Sequence, residues 1–422
     1  MIYLDVTSAS QSALNTGVKR MQRQMHSWLS SRPDYQPVIW QSVLGRYRKT
    51  KASDLMFLDK PFEKKLSGLA LYDYFLPRFP ADLMGLVGDR GRLIGVPEKL
   101  HPDDILLVPD LIWDNRGSLF KTSNHQGARR IAVFHDAIPL KTPRNSKFDA
   151  FLCNMGLRAL SKFDLVICIS SHAEREMHHY LSELSLPHPP SVVVPWPVPF
   201  THKQRPPHTS NFQKREILYV ARLEKRKNHL RFLEACESLW RDGLTFSVRL
   251  IGCKSYPAFT QKLLSVIWSL QSAGRDLQWS AHISDEELHQ AYEECSFTTF
   301  ASLSEGFGLP ILESLWHGRP VVCSNSGAMA EVARGGGCEL TDVTDVVTLE
   351  ASIQRLLVDE DYYNQLYGEI EVRTFRSWEN YWGEMMSCLD GSISKKNVNG
   401  AHVNGEHNAA EGALILEHSE EV

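Results

Sequence analysis

The sequence predicts an α/β protein made of two Rossmann-like domains. Strand-like apolar runs alternate with helical patterns up to about residue 197, and this alternation is typical of a mostly parallel sheet with helices on both faces. The alternation stops in a proline-rich, polar stretch and restarts at Ile217. At 422 residues the chain also exceeds what one hydrophobic core usually supports. We therefore predict domains at residues 1–197 and 216–390, with a linker at 198–215.

The first predicted domain begins with an apolar strand and continues as alternating elements. Each strand is a short run rich in aliphatic residues, and each helix shows a 3.6-residue apolar period. The predicted strands are 2–6, 38–43, 105–108, 131–134, 165–170 and 192–194, and the predicted helices include 18–29, 148–160 and 173–181.

The second predicted domain repeats the pattern from Ile217 onward. Further strands are predicted at 247–251, 277–281, 297–301 and 320–324, each followed by a helical pattern, and a last helix at about 378–389. From residue 391 to 422, Ser, Asn, Gly, His and Glu dominate. This composition cannot bury an apolar core, so we predict a disordered tail.

Two carboxylates, Glu305 and Glu313, enclose a glycine-rich turn that follows a strand-like run. Pro310 suits the first position of a helix, which puts Gly306 and Gly308 in the loop and Glu313 in the first turn. Backbone amides at a helix start attract phosphate, whereas carboxylates repel phosphate and bind hydroxyl groups. The turn therefore predicts a nucleotide-sugar site. The alternative is an ordinary strand-loop-helix junction, which can carry the same residue types.

A basic turn follows the strand that starts at Ile217. Arg222 falls just past that strand and Lys227 near the start of the next helix, at the sheet edge where open α/β folds bind ligands. Arginine offers a planar fork and lysine a compact charge, so the two could clamp a diphosphate and stabilise it as a leaving group. The alternative is a solvated charged surface.

These two segments together resemble the retaining glycosyltransferases of family four, which share the two-domain GT-B fold. The string E-G-F-G-L-P-I-L-E resembles that family's signature of two glutamates separated by seven residues, and A-R-L-E-K-R-K-N-H resembles its Arg/Lys turn. The resemblance implies that Glu305 contacts the donor sugar, that Glu313 holds the ribose, and that Arg222 and Lys227 neutralise the diphosphate. It also implies that the last helix crosses back to the first domain. The loop amides that would contact sugar and phosphate belong to Gly306, Phe307, Gly308 and Leu309.

Two segments of the first domain extend the resemblance. Gly17 follows the first strand and opens a helix, as the family's first glycine loop does beside the donor phosphates. His135 and Asp136 end the strand 131–134, and such a histidine lies near the reacting sugar in the family. The alternatives are a turn glycine and a structural histidine, which many folds carry at these places.

The resemblance implies transfer of a hexosyl group from a nucleoside diphosphate sugar, with retention of the anomeric configuration. The family's habits suggest a mannose-type donor, and a glycan or polyprenyl-linked acceptor in surface polysaccharide or lipopolysaccharide synthesis. They also imply a cytoplasmic protein with possible peripheral contact at the inner face of the cell membrane. Two alternatives stay open: a nucleotide-sugar epimerase of the same fold, and a non-catalytic nucleotide-sugar-binding subunit.

Other chemistries find little support in the sequence. We expect no metal, since the Asp-x-Asp string at 359–361 falls within a helical pattern, and no cofactor beyond the donor substrate. The net charge of −4 and the lack of interleaved aromatic and basic residues argue against nucleic acid. A basic cluster around apolar residues 55–58 could touch anionic lipid or line an ordinary loop. It consists of Arg46, Arg48, Lys49, Lys51, Lys60, Lys64 and Lys65.

Overall fold

The structure is a computed structural model of the whole chain. It describes residues 1–10, 17–41, 46–59, 101–110, 128–141, 147–198, 205, 207–255, 257–281 and 283–391. Lys60, Lys64, Lys65, residues 199–204 and 206 of the predicted linker, and the predicted tail after residue 391 lie outside the described residues.

A seven-stranded sheet forms the centre of the first domain. Its strand order is β3-β2-β1-β4-β5-β6-β7, and every neighbouring pair is parallel except β2 and β3. The central strands are aliphatic and fully buried because helices cover both faces. The strands are β1 (Ile2–Asp5), β2 (Tyr35–Gln41), β3 (Arg46–Lys49), β4 (Ile105–Val108), β5 (Arg129–Phe134), β6 (Leu165–Cys168) and β7 (Ser191–Val193).

A six-stranded, fully parallel sheet forms the centre of the second domain. Its strand order, β10-β9-β8-β11-β12-β13, is that of a Rossmann fold. Strands β9 and β10 lie on one side of β8 and strands β11 to β13 on the other, so the strand order reverses between β8 and β11. The strands are β8 (Glu216–Val220), β9 (Ser247–Ile251), β10 (Leu277–Ser280), β11 (Phe297–Phe300), β12 (Val321–Ser324) and β13 (Cys338–Thr341).

Helices join these strands. In chain order they are α1 (Thr7–Ser10), α2 (Gly17–Leu29), α3 (Ala52–Asp59), α4 (Ile138–Lys141), α5 (Lys147–Leu160), α6 (Ser171–Glu183), α7 (His229–Arg241), α8 (Pro257–Ser272), α9 (Asp285–Glu294), α10 (Leu309–Trp316), α11 (Gly327–Ala333), α12 (Val346–Val358), α13 (Glu360–Val372) and α14 (Trp378–Asp390). Within the described residues, no helix is both long enough and apolar enough to cross a membrane.

The last helix, α14, leaves the second domain and packs on the first. The indole of Trp382 stacks on that of Trp28 in α2, with ring centroids 4.6 Å apart. The guanidinium of Arg129, at the start of β5, donates a hydrogen bond of 2.8 Å to the Leu389 carbonyl. The first domain is therefore completed by a segment that follows the second domain in the sequence.

The predicted two-domain α/β architecture is confirmed, with corrections to single elements. The sequence analysis missed β3 and β13 and placed the second strand at 38–43 rather than at Tyr35–Gln41. Helix α10 begins at Leu309, so Pro310 is its second residue and Glu313 lies in its second turn, not its first. Asp359 precedes α13 and accepts a hydrogen bond from the Tyr362 amide, so this part of the Asp-x-Asp string is a helix cap.

Candidate active site

The predicted site residues converge at the carboxyl ends of the two sheets. Arg222 and Lys227 follow β8, and Glu305 follows β11, which are the two strands on either side of the reversal point of the second sheet. A crevice opens at such a point because the loops after the two strands run to opposite faces of the sheet. The crevice faces the carboxyl edge of the first sheet, where His135 directly follows β5.

A charge network of five side chains lines this crevice. The Glu305 carboxylate accepts a hydrogen bond of 2.5 Å from the Lys227 ammonium and also contacts the Arg226 guanidinium. Arg226 lies 3.4 Å from Glu224, which in turn lies 3.2 Å from Arg222. With three cations and two carboxylates, the network holds one positive charge in excess. Arg226, which the sequence analysis did not select, is its central member.

Four of the five side chains are 6–12% exposed and Arg222 is 29% exposed, so the charges of the network depend on one another. Burial would raise the pKa of Glu305, but Lys227 and Arg226 hold that pKa below its usual value. Burial lowers the pKa of Lys227, and Glu305 opposes this effect. Burial also raises the pKa of the adjacent Asp136, against the charge of Arg226. Lys227 and Glu305 therefore each favour the charged form of the other. An anionic ligand that binds Lys227 must compete with Glu305.

Glu313 is also buried, and both of its carboxylate oxygens have protein partners. One oxygen lies 2.9 Å from the Arg20 guanidinium of α2, in the opposite domain, and the other accepts a 3.0 Å hydrogen bond from the Tyr292 hydroxyl. The Tyr292 ring stacks on His317, whose Nδ1 donates to the Glu313 carbonyl across 2.7 Å. The structure thus brings Glu313 to the cleft, but as one half of an ion pair between domains.

The glycine-rich loop before α10 packs directly against the first domain. A Cβ added to Gly306 would lie 2.0 Å from the His135 carbonyl oxygen, so only glycine fits this approach. Gly308 has φ +119°, which favours glycine for a second reason. A Cβ on Gly17 would lie 3.1 Å from the Leu309 side chain. The two predicted glycine segments, far apart in sequence, therefore meet.

His135 lies in the wall of the cleft beneath an aromatic pair. Its Nε2 is 2.8 Å from the Pro109 carbonyl, which can only accept, so Nε2 carries a proton. Its Nδ1 is buried with no hydrogen-bond partner among the described residues. The imidazole lies 5.2 Å from the Trp196 ring, which contacts Phe307 edge to face at 5.8 Å. In the neutral ring, Nδ1 is a buried acceptor.

A polar cluster on the first domain was not found by sequence reasoning. Asp110 follows β4 and accepts a hydrogen bond of 2.5 Å from the Ser8 hydroxyl, and the Lys19 ammonium binds the Ser8 carbonyl at 2.5 Å. Burial would raise the pKa of Asp110, but Lys19 holds it below its usual value. Lys19 lies two positions after Gly17, and this short spacing was the sequence feature that could have identified Lys19 as a site residue.

A second contact between domains fixes the glycine-rich loop from the side. The Ser170 hydroxyl, at the start of α6, donates to the Gly306 carbonyl across 2.7 Å. The Glu331 carboxylate of α11 accepts hydrogen bonds from the Ser171 and His172 amides at 2.8 and 3.0 Å. Helix α6 of the first domain is therefore capped by a side chain of the second.

The chain is similar to a known protein family and to named proteins. A family described as "Glycosyl transferases group 1" matches residues 200–371. The chain is 25% identical over 261 residues to an Escherichia coli protein named serotype-specific mannosyltransferase WbdA, covering 56% of this chain and 31% of that one. It is 31% identical over 169 residues to the E. coli protein named O-antigen chain mannosyltransferase B, covering 39% and 42%. The chain thus spans about a third of the length of the first of these relatives.

Solved structures share the fold over nearly the whole chain. The sucrose-phosphate synthase of Thermosynechococcus elongatus has a TM-score of 0.61 at 17% identity, with 93% of this chain and 99% of that one covered. Anabaena Alr3699/HepE, solved in complex with UDP, has a TM-score of 0.62 at 14% identity, with 92% and 99% covered. The fold is thus that of the GT-B glycosyltransferases. Residues 200–371, which supply Arg222, Lys227, Glu305 and Glu313, match the family of group 1 glycosyl transferases.

Proposed function

We propose that the protein transfers a hexosyl group, of the mannose type, from a nucleoside diphosphate sugar to a glycan or polyprenyl-linked oligosaccharide. The transfer retains the anomeric configuration and needs no metal. The observation that carries this proposal is the cationic network of Arg222, Arg226 and Lys227, which faces His135 at the reversal point of the second sheet. Both E. coli relatives are named mannosyltransferases, which supports the choice of sugar. The name of one of them also contains the term O-antigen, which supports the acceptor class.

The network suits a diphosphate because it holds fixed cations and one excess positive charge. On donor binding, phosphate oxygens replace Glu305 as the partners of Lys227 and Arg226. The diphosphate gains charge as it leaves, so these preorganised cations stabilise the transition state more than the ground state. This neutralisation by side chains is the task that a metal ion performs elsewhere, which is why we propose metal-independent transfer.

The remaining residues suit the two sugar rings of the donor. Glu305, once exchanged for phosphate, can accept hydrogen bonds from hydroxyls of the transferred hexose, and the unpartnered His135 Nδ1 can accept another. Glu313 holds the ribose after exchange with Arg20. The nucleophilic hydroxyl then attacks from the face that the diphosphate leaves, assisted by a phosphate oxygen as base.

The acceptor enters over the first domain. The Ser8, Lys19 and Asp110 cluster lies at the carboxyl edge of its sheet and offers both donors and acceptors for sugar hydroxyls. A polyprenyl-linked acceptor would bring the protein to the inner face of the cell membrane. Within the described part of the basic cluster, Arg48 is paired with Asp54 at 2.5 Å, so its charge is partly neutralised within the protein.

Donor turnover by the wild type and two variants tests the proposal. Wild-type protein is incubated with UDP-, GDP- and dTDP-hexoses, with and without glycan acceptors, in EDTA. We expect one donor to be consumed with an acceptor, the product anomer to match that of the donor by NMR, and both Glu305→Gln and Lys227→Met to lose about 10²–10³-fold in kcat. The matched control Glu234→Gln, on the exposed face of α7, keeps full activity.

Each rival class gives a different result in this assay. An epimerase interconverts donor sugars without any acceptor. A binding subunit is stabilised by a donor in thermal unfolding but consumes none. An inverted product anomer, or activity that EDTA abolishes, overturns the retaining, metal-independent mechanism.

A further inference from the structure

Two histidines face each other on the surface of the first domain, away from the cleft. His178 belongs to α6, and His188 lies in the turn between α6 and β7. Their Nδ1 atoms are 3.1 Å apart. His178 is eight residues along the chain from Ser170, which at 1.5 Å per helical residue is about 12 Å from the contact with Gly306. His188 is exposed to solvent, so the pair can be reached from outside.

The surrounding hydrogen bonds fix the protonation of His178. The Ser191 hydroxyl donates its proton to the Glu174 carboxylate across 2.6 Å. The Ser191 oxygen can then only accept from His178 Nε2, which lies 3.1 Å away. Nε2 of His178 therefore carries a hydrogen, and its Nδ1 presents a lone pair towards His188. Such a hydrogen-bonded carboxylate, hydroxyl and imidazole chain is the support that metal-binding histidines use.

His188 can present a lone pair in the same direction. Its Nε2 lies 2.9 Å from the Ser182 hydroxyl, which either donates or accepts according to its rotation. When Ser182 donates, His188 carries its proton on Nδ1 and shares it with His178. When Ser182 accepts, the proton moves to Nε2 and both Nδ1 atoms present lone pairs. The change of tautomer needs no net gain or loss of protons.

The distance between the two nitrogens fits a shared metal ion. Metal–nitrogen bonds of about 2.0–2.1 Å that span 3.1 Å subtend an angle of roughly 95–102°, between the octahedral and tetrahedral values. The ring centroids are 4.8 Å apart and the rings are tilted by 33°. If both Nδ1 lone pairs lay along the line that joins the two nitrogens, the ring centroids would be farther apart than this. The lone pairs are therefore inclined to that line, as the lone pairs of two ligands of one metal ion are.

We propose that His178 and His188 form a binding site for a borderline divalent transition metal ion such as Zn²⁺ or Ni²⁺, in the position of the proton that they otherwise share. Imidazole nitrogen is a preferred ligand of these ions. The described residues contain no group of three or more histidine, cysteine or acidic ligands, so water completes the coordination shell. The ion links the second half of α6 to the turn that leads into β7, and the site is independent of glycosyl transfer.

Isothermal titration of the full chain with ZnCl₂ tests the proposal through three variants. The chain contains 17 histidines, so the readout is the difference between each variant and the wild type. We expect His178→Gln and His188→Gln each to lose one equivalent of bound Zn²⁺. Ser191→Ala leaves both ligands in place but removes the support of His178, and should weaken that equivalent about tenfold.

The control is His179→Gln. His179 neighbours His178 in sequence but is exposed and pairs with Glu183 at 3.4 Å. It should bind Zn²⁺ as the wild type does. Unchanged stoichiometry and affinity in both His178→Gln and His188→Gln, or an equal loss in His179→Gln, overturns the proposal. Far-UV circular dichroism of each variant confirms folding, which a surface substitution should preserve.

Discussion

Glu305 pairs with Lys227 in the cleft, and each of the two side chains is only 12% exposed. We predict that Glu305→Gln destabilises the folded protein as well as stopping turnover. The substitution leaves Lys227 and Arg226 buried without this counter-charge, which typically costs about 3–5 kcal/mol in the free energy of unfolding. Urea unfolding of wild type and variant measures this. The exposed Glu234→Gln should change the same free energy by less than about 0.5 kcal/mol. Equal midpoints for Glu305→Gln and wild type would contradict the pairing described here.

The buried His229, which lies close to Lys227 of the same network, should make the stability of the protein depend on pH. Burial lowers the pKa of this histidine to about 3, and its ring packs against Tyr219 at 4.9 Å. Below its ordinary pKa of 6.5 the unfolded chain binds a proton that the folded chain refuses. Stability is therefore fully present above pH 6.5 and falls as the pH drops from 6.5 towards 3.

His229→Phe should flatten this dependence. The replacement keeps an aromatic ring beside Tyr219 but cannot bind a proton. We expect the slope of unfolding free energy against pH to decrease by up to about 1.4 kcal/mol per pH unit within that window. The exposed His101→Phe is the control and should leave the slope unchanged. If both variants keep the wild-type slope, His229 is not the group responsible.

The candidate site residues that sequence reasoning selected and those that it missed differ in a physical way. Glu305, Glu313, Arg222 and Lys227 follow strand-like runs at short offsets, which made them candidates, and the resemblance to family four implied their roles. Arg226 could not be distinguished from its basic neighbours because the direction of a side chain in the short 3-10 turn Lys225–Lys227 depends on contacts with Glu305, which lies in the loop after β11 and 79 residues later.

At the scale of elements, α6 and α11 depend on each other across the domain boundary. We predict that Glu331→Ala destabilises the protein by about 0.5–2 kcal/mol, the usual cost of losing a helix cap. It should also raise KM for the donor, because Ser170, the N-cap of α6, donates a hydrogen bond to the Gly306 carbonyl. Thermal unfolding and donor kinetics measure the two effects.

Glu350→Ala is the matched control, since this glutamate lies on α12 of the same domain and makes no contact with the first domain within the described part of the chain. It should leave both quantities unchanged. A wild-type KM in Glu331→Ala, with or without a loss of stability, would show that capping of α6 by Glu331 does not affect donor binding at the glycine-rich loop.

The two strands that the sequence analysis missed share a physical feature. Their residues are mostly polar or charged: β3 reads Arg-Tyr-Arg-Lys and β13 reads Cys-Glu-Leu-Thr. Both are edge strands of their sheets, and edge strands carry charged and polar residues that hide the apolar signal. The start of α10 was misplaced by one residue because proline is accepted at either of the first two helical positions.

At the scale of the whole molecule, the pair of Arg20 and Glu313 joins the two domains. We predict that the charge exchange Arg20→Glu with Glu313→Arg preserves the closed arrangement but abolishes donor turnover, because a guanidinium at position 313 cannot accept hydrogen bonds from ribose hydroxyls. Arg20→Glu alone places two carboxylates together and should open the cleft. Small-angle scattering without donor should give a larger radius of gyration for the single variant than for the wild type or the double variant. Three equal radii would show that this ion pair does not hold the domains together.

No local pattern in the sequence predicts this contact. Arg20 and Glu313 are 293 positions apart, and their meeting depends on how the two sheets face each other. The resemblance to a two-domain family implied a cleft, and the fold is confirmed. Which side chains bridge that cleft depends on the relative orientation of the domains, which neither periodicity nor turn chemistry encodes.

The stacking of Trp382 on Trp28 has a consequence for how the chain is made. The N-terminal sheet leaves the ribosome first, yet the helix that covers Trp28 is synthesised after the whole of the second domain. Domains generally fold as units during synthesis, so here the later unit can reach its final state before the earlier one does. Until about residue 390 has emerged, the nascent chain exposes an indole surface, where a chaperone that recognises apolar segments would bind.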